Sequence, residues 1–301
     1  MTDDNDRFHQ LVTRIDPANR LLRAWPLTGG VSAQVTALEV ERLNVETTRW
    51  VARMHGPRDL AGNPNIARDE FRLLQVVEKH GIAAPRPVYV DTSCDLFPSP
   101  VLVITFIEGE MVDDAEQVED VDSFVRQMAD QLAAIHRVPD SPEIAFLPGT
   151  HDRLPPRPEV LDESLNEGRI RDALEAMGKP EPLNPPVLLH GDYWPGNVLW
   201  RDDTLAAVID WEDAERGDPL SDLANARMEI LFTFGPEAMQ TFTDHYLAQT
   251  QIDIEHLPYW GLVAALHPCG RMAEWGLAPD DETRMRDRHG WFVNQAIARL
   301  H

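Results

Sequence analysis

The segment from Val187 to Glu212 constrains this 301-residue chain more than any other feature. It reads Val-Leu-Leu-His-Gly-Asp-Tyr-Trp-Pro-Gly-Asn-Val-Leu-Trp, then Arg201-Asp202-Asp203-Thr204, then Leu-Ala-Ala-Val-Ile-Asp-Trp-Glu. Apolar Val187 to Leu189 lead into the polar His190-Gly191-Asp192, and Pro195-Gly196 forces a tight loop. Val198 to Trp200 and Leu205 to Ile209 predict two short strands joined at Arg201 to Thr204. A loop followed by such a hairpin gathers Asp192, Asn197 and Asp210 into one region. Taken singly, Asp192 reads as a turn residue, Asn197 as a loop cap and Asp210 as a strand-end carboxylate. In this order and spacing they supply one carboxylate to accept a hydroxyl proton, with an amide and a second carboxylate to hold Mg²⁺ on nucleotide phosphates.

The spacing from Asp192 to Asn197 equals that of the kinase catalytic loop. With Ile209-Asp210-Trp211-Glu212 and Gly217-Asp218-Pro219-Leu220-Ser221-Asp222-Leu223-Ala224, the chain resembles the aminoglycoside phosphotransferase and choline kinase family. The resemblance implies an α+β, two-lobed protein-kinase-like fold. A small five-stranded antiparallel sheet lobe, residues 1–108, would bind nucleotide. A larger, mostly helical lobe, residues 109–301, would carry catalysis and the acceptor. It further implies ATP and Mg²⁺ as cofactors and a small-molecule hydroxyl acceptor. A kinase-like nucleotide-binding regulatory protein without activity is the alternative, and intact Asp192, Asn197 and Asp210 argue against it. A protein kinase is disfavoured, because Glu212 to Pro219 leaves no room for an activation loop.

On this reading Asp192 is the catalytic base and His190 packs and positions the loop. Asn197 and Asp210 are the metal ligands, since a hard cation takes oxygen donors. The Gly217-Asp218-Pro219 segment resembles the one that buttresses the family's catalytic loop. Asp218 with Pro219 also fits a helix start, and Asp222 the first turn, where a carboxylate favours the helix dipole. In the small lobe, Gly29, Gly30 and Ser32 form a turn whose backbone N–H groups approach phosphates. Arg53 stands where the family carries a phosphate-binding lysine; the chain has only Lys79 and Lys179, neither on that strand. Glu70, on the next helix, is the partner expected to fix Arg53 by an ion pair. Thr105 and Ile107 border the adenine in the strand that runs to Glu108-Gly109-Glu110, the hinge.

The element pattern agrees with two lobes. Phe8, Leu11, Val12 and Ile15 predict a helix. After Pro26 the apolar residues alternate: Val31 and Val35, Leu38 and Val40, then Trp50 to Met54. These read as three strands, the first two joined through Gly29-Gly30. Ala67 to His80 is helical and stops at Gly81, and Val88 to Val90 and Pro100 to Ile107 are further strands. Val121 to Arg137 is a long helix. Residues 139–158 are proline-rich and irregular. Helices follow over Ser221–Phe234, Pro236–Gln249, Ile254–His267 and Glu282–Leu300.

The net charge of −24 is uneven. Residues 1–110 hold 12 basic and 15 acidic side chains, residues 111–301 hold 15 and 36, for nets of −3 and −21. Such a field repels nucleic acid and anionic membranes; it either attracts a cationic acceptor, with Glu215, Glu229 and Glu274 as candidate contacts, or only solubilises the surface. The longest apolar run is too short to cross a bilayer. The acidic N-terminus lacks a signal-peptide pattern, and two well-separated cysteines read as free thiols. A cytoplasmic location is expected.

Overall fold

The computed structural model describes residues 2–27, 33–43, 46–112, 114–149, 154 and 156–300. The chain divides into two compact units, one of Met1–Glu108 with Ala206–Glu212, the other of Gly109–Leu205 with Asp213–His301.

The first unit is built on five antiparallel strands in the order β1-β2-β3-β5-β4. They are β1 (Arg20–Pro26), β2 (Ala33–Glu41), β3 (Thr47–His55), β4 (Pro87–Asp91) and β5 (Val101–Thr105). The first strand thus lies before Pro26, not after it. Its Leu21 is buried while its other residues face outward or sit at the rim, too weak an alternation to read from sequence. On one face the helix α1 (Thr2–Ile15) buries Phe8, Leu11 and Val12 against Leu38, Val40, Trp50, Ala52, Phe97 and Val103. Burying a side chain of this kind contributes about 1.5–3 kcal/mol. A short helix α2 (Pro57–Gly62), not foreseen, precedes α3 (Ile66–Lys79), whose Leu73, Leu74, Val76 and Val77 are buried. Segment Ala206–Glu212 joins this unit through the Val208 N–H, which donates to the Ala83 carbonyl at 2.8 Å.

The second unit is mainly helical. Its first strand, β6 (Glu110–Met111), leads to α4 (Val121–His136), which Asp120 caps by accepting the Ser123 N–H at 3.0 Å. The helix α5 (Glu167–Met177) was not expected, its apolar stripe being short. Then come β7 (Val187–Leu189) and β8 (Val198–Arg201), the latter paired with β6. Asp202 and Asp203, both left-handed, turn the chain into β9 (Thr204–Val208), inside which the boundary between the units falls. After it, β10 (Glu215–Gly217) pairs antiparallel with β7, Gly217 opposite Val187 and Glu215 opposite Leu189. Four helices close the chain: α6 (Leu220–Phe234), α7 (Pro236–Leu247), α8 (Leu257–Ala264) and α9 (Pro279–Ile297). Gly235 ends α6 in a left-handed conformation and Pro236 opens α7, which fixes the corner. The helix α6 packs against α7, α8 and α9 and is buried along most of its length. Among the described residues no helix is long and apolar enough to cross a membrane.

Candidate active site

In the second unit, β7 delivers the chain into the loop His190 to Asn197. Two facts hold that loop. Gly191 has φ 85°, and a Cβ there would lie 2.0 Å from the Asp213 carbonyl oxygen, so only glycine fits. Asp222, in the first turn of α6, accepts the His190 N–H at 2.6 Å on Oδ2 and the Gly191 N–H at 3.0 Å on Oδ1. Its role is therefore larger than the dipole contact expected for it. Burial opposes the Asp222 charge, but the hydrogen bond and charge of His136 and the contacts to His190 outweigh it and hold the carboxyl below the usual range. His136 in turn meets the Tyr246 hydroxyl at 2.7 Å. The buried Tyr193 hydroxyl donates to the Met128 carbonyl on α4 at 2.9 Å, a second anchor.

The side chains of the loop are arranged by these anchors. His190 is fully buried, and its Nδ1 accepts the Asp192 N–H at 3.3 Å. It packs inside the loop rather than facing a substrate. The buried Asn197 donates through Nδ2 to the Asp192 carbonyl at 2.8 Å and to its Oδ2 at 3.0 Å. The amide nitrogen orients the Asp192 carboxylate, while the amide oxygen is the atom suited to a hard cation. Asp218 accepts the Leu220 N–H at 3.0 Å and the Asn184 amide at 3.1 Å, the helix-start role expected of it.

Of the three acidic residues considered for the acceptor, Glu229 lies two turns beyond Asp222 on α6. Burial, and then the charge of Asp192, push its carboxyl up to about 8. Glu215 sits in β10 opposite Leu189. Glu274 is exposed in a turn after α8.

In the first unit, Arg53 on β3 is buried and bound to three carboxylates. Its Nη1 donates to Glu70 Oε1 at 3.0 Å, the pair expected from the sequence. Its Nη2 donates to Asp210 Oδ1 and to Glu212 Oε2, the latter at 2.5 Å. Glu70 is 4% exposed, and its second oxygen meets His55 Nε2 at 2.7 Å. Burial opposes the Arg53 charge, and Glu70, Asp210 and Glu212 more than restore it, so the guanidinium stays charged. Burial likewise opposes ionisation of Glu70, and Arg53 with His55 reverse that. The convergence of Asp210 and Glu212 has a local cause. Asp210 is left-handed at φ 66°, and the buried Trp211 donates its Nε1–H to the Val208 carbonyl at 3.0 Å. The following turn brings both flanking carboxylates to one guanidinium. Sequence reasoning names Glu212 only as an acidic neighbour of Asp210 and does not foresee its contact to Arg53; the period-two spacing across a tryptophan was the available signal.

Thr105 ends β5 opposite Trp50, and its hydroxyl accepts the Arg86 N–H at 2.9 Å. Ile107 follows in irregular backbone. Gly29, Gly30 and Ser32 lie outside the described residues.

Each of the two oxygen donors expected to hold a metal has its own setting in its own unit. Asn197 supplies an amide oxygen, and Asp210 a carboxylate that is 37% exposed although one oxygen meets Arg53. No cluster of three metal-binding side chains occurs among the described residues. The Arg53 guanidinium has the planar fork that matches phosphate, but here its Nη1 and Nη2 are engaged by carboxylates.

Residues 25–260 match the model of a family described as APH, a phosphotransferase enzyme family. Solved structures share the fold. An aminoglycoside 2'-phosphotransferase in complex with GDP has a TM-score of 0.66 at 18% identity, over 97% of each chain. An aminoglycoside phosphotransferase with GDP and kanamycin gives 0.64 at 18%, over 98% of this chain and 99% of that one. A spectinomycin phosphotransferase with ADP and spectinomycin gives 0.62 at 16%, over 98% of each. The α+β, protein-kinase-like fold expected from the sequence is thus the observed one.

Proposed function

Because this chain belongs to the APH phosphotransferase enzyme family, and so is a small-molecule kinase acting on hydroxyl groups, we propose that it transfers the γ-phosphoryl group of ATP, with Mg²⁺, to a hydroxyl of an amine-bearing acceptor. In this reading the acceptor oxygen forms the new P–O bond as the γ-phosphorus separates from the β–γ bridging oxygen. The hydroxyl proton passes to Asp192, and ADP leaves. Mg²⁺, when bound, would supply positive charge to the phosphates. Asn197 and Asp210 would hold the metal, Arg53 would serve the phosphates, and Thr105 and Ile107 would border the base. Gly29, Gly30 and Ser32 are expected from the sequence alone to serve the phosphates. Residues 1–108 are the nucleotide side of the enzyme and 109–301 the acceptor side.

The observation that carries this reading is the orientation of Asp192. Its carboxylate is fixed by Asn197 in a loop whose two leading N–H groups are clamped by the buried Asp222. A general base must be held in place before its substrate arrives, because orientation accounts for much of the rate. Support for a cationic acceptor comes from the −21 charge of residues 111–301. The similar proteins solved with kanamycin and spectinomycin point the same way.

An acceptor panel of aminoglycosides, macrolides, choline, homoserine and sugars, scored by ADP or GDP release from ATP or GTP, tests the proposal. Turnover on an amine-bearing alcohol, lost roughly 10²–10⁴-fold in Asp192→Asn, is the expected result. Wild-type turnover in Asp192→Asn on the same acceptor removes Asp192 from the mechanism.

A further inference from the structure

Arg53 raises a question of exchange. A guanidinium has five N–H donors. Both Nη2 contacts here go to carboxylates, Asp210 and Glu212, and one Nη1 contact goes to Glu70. The Nε–H is buried and has no partner among the described residues. If Asp210 holds the metal on the nucleotide, the contact it makes to Arg53 competes with that metal for the same carboxylate.

The two carboxylates on Nη2 are not equivalent. Asp210 is 37% exposed, Glu212 only 11%, and Arg53 itself 9%. The exposed member can turn to a cation arriving from solvent; the buried one cannot leave without stranding a buried charge. Resting on the reading of Asp210 as a metal ligand, we propose that Glu212 is the positioning residue for Arg53, its permanent partner on Nη2, and that Asp210 is the exchangeable one. Binding of the metal–nucleotide trades the Arg53–Asp210 contact for an Asp210–Mg²⁺ contact. One Nη2–H is thereby released towards the phosphates, and Glu212 keeps the guanidinium seated against Glu70.

Charge favours the trade. Arg53 with Glu70, Asp210 and Glu212 sums to −2 when His55 is neutral, which opposes a metal-free nucleotide and welcomes a dication. Geometry explains why arginine serves at this position: a planar fork satisfies carboxylates on two sides at once, whereas an ammonium is a single point charge. The left-handed Asp210 and the anchored Trp211 supply the turn that makes the two carboxylates converge.

The test is calorimetric titration of the whole protein with ADP across a range of Mg²⁺, for wild type, Glu212→Gln, Glu212→Asp and Asp210→Ala, with each variant's melting temperature. In Glu212→Gln, Asp210 is the sole carboxylate left on Nη2, so its release costs more. The Mg²⁺ concentration that half-maximally enhances ADP binding should rise on the order of tenfold, while metal-free ADP, relieved of the Glu212 charge, should bind no more weakly than to wild type. Glu212→Asp keeps a carboxylate and should recover part of that shift. An unchanged Mg²⁺ midpoint in Glu212→Gln, or a parallel weakening of metal-free and metal-loaded ADP, overturns the proposal; the latter assigns Glu212 a merely structural part. If Asp210→Ala keeps the full Mg²⁺ enhancement, the metal reading itself falls, and this proposal with it. If Asp210→Ala loses the enhancement while Glu212→Gln does not shift the midpoint, only the exchange is wrong.

Discussion

Two positions show how little freedom the catalytic loop has. At Gly191 the backbone is left-handed, and the Asp213 carbonyl oxygen occupies the space a Cβ needs. Alanine must therefore either strain the backbone or push the chain at Asp213 away. We expect Gly191→Ala to cost about 3 kcal/mol of stability and to lower turnover, since the loop carries Asp192 one residue on. Urea unfolding monitored by circular dichroism gives the first number, and a variant as stable as wild type would show that the loop is free to shift. At Asp210 the same left-handed conformation occurs in a residue that has a Cβ. Such strain persists where surrounding contacts fix it, here Trp211 and Arg53.

At the scale of elements, α6 does two jobs. Its first turn presents Asp222 to the loop, and its third presents Glu229 near Asp192. Asp222→Asn replaces an acceptor of two N–H groups by a side chain that is half donor, and it leaves His136 without its anionic partner. We expect a loss of roughly 3 kcal/mol and a lower kcat. A crystal structure with the loop undisturbed would refute the clamp. Glu229 predicts a pH effect. Its carboxyl is raised from 4.5 to about 8, so between those values the folded protein binds a proton that the unfolded chain has released. Stability therefore falls as pH rises through that window, and Glu229→Gln removes the loss. Below pH 4.5 the two proteins should differ little; at pH 8 the variant should be more stable. A shift of one unit is about 1.4 kcal/mol, and solvent at this partly accessible carboxyl reduces the total, so we expect on the order of 1–2 kcal/mol. Melting temperatures from pH 4 to 8.5 decide it, and parallel curves for the two proteins would refute the shifted carboxyl.

At the scale of the molecule, the charge of residues 111–301 makes a kinetic prediction. A field of that sign raises the local concentration of cations, and salt shortens its reach to about 8 Å at physiological ionic strength. For a cationic acceptor, kcat/KM should fall several-fold between low and physiological salt, while a neutral acceptor varies less. If the best acceptor proves neutral and its rate indifferent to salt, the charge only solubilises the protein.

The sequence by itself determined the fold class, because period-two and helical apolar patterns combined with a motif whose spacing a kinase-like loop requires. It also determined the Arg53–Glu70 pair, since β3 and α3 were both legible and the next helix offers few partners. What it did not determine was the first strand, whose single buried leucine leaves no alternation, and α5, whose stripe is short. Nor did it assign Asp222 or Glu212. A carboxylate in a first helical turn looks the same in sequence whether it faces water or clamps a loop 31 residues earlier. Likewise, the joining of Asp210 and Glu212 on a guanidinium 157 and 159 residues away depends on a left-handed residue and a buried tryptophan. Local periodicity encodes which face of an element is apolar; only tertiary packing decides which polar groups become partners once water is removed.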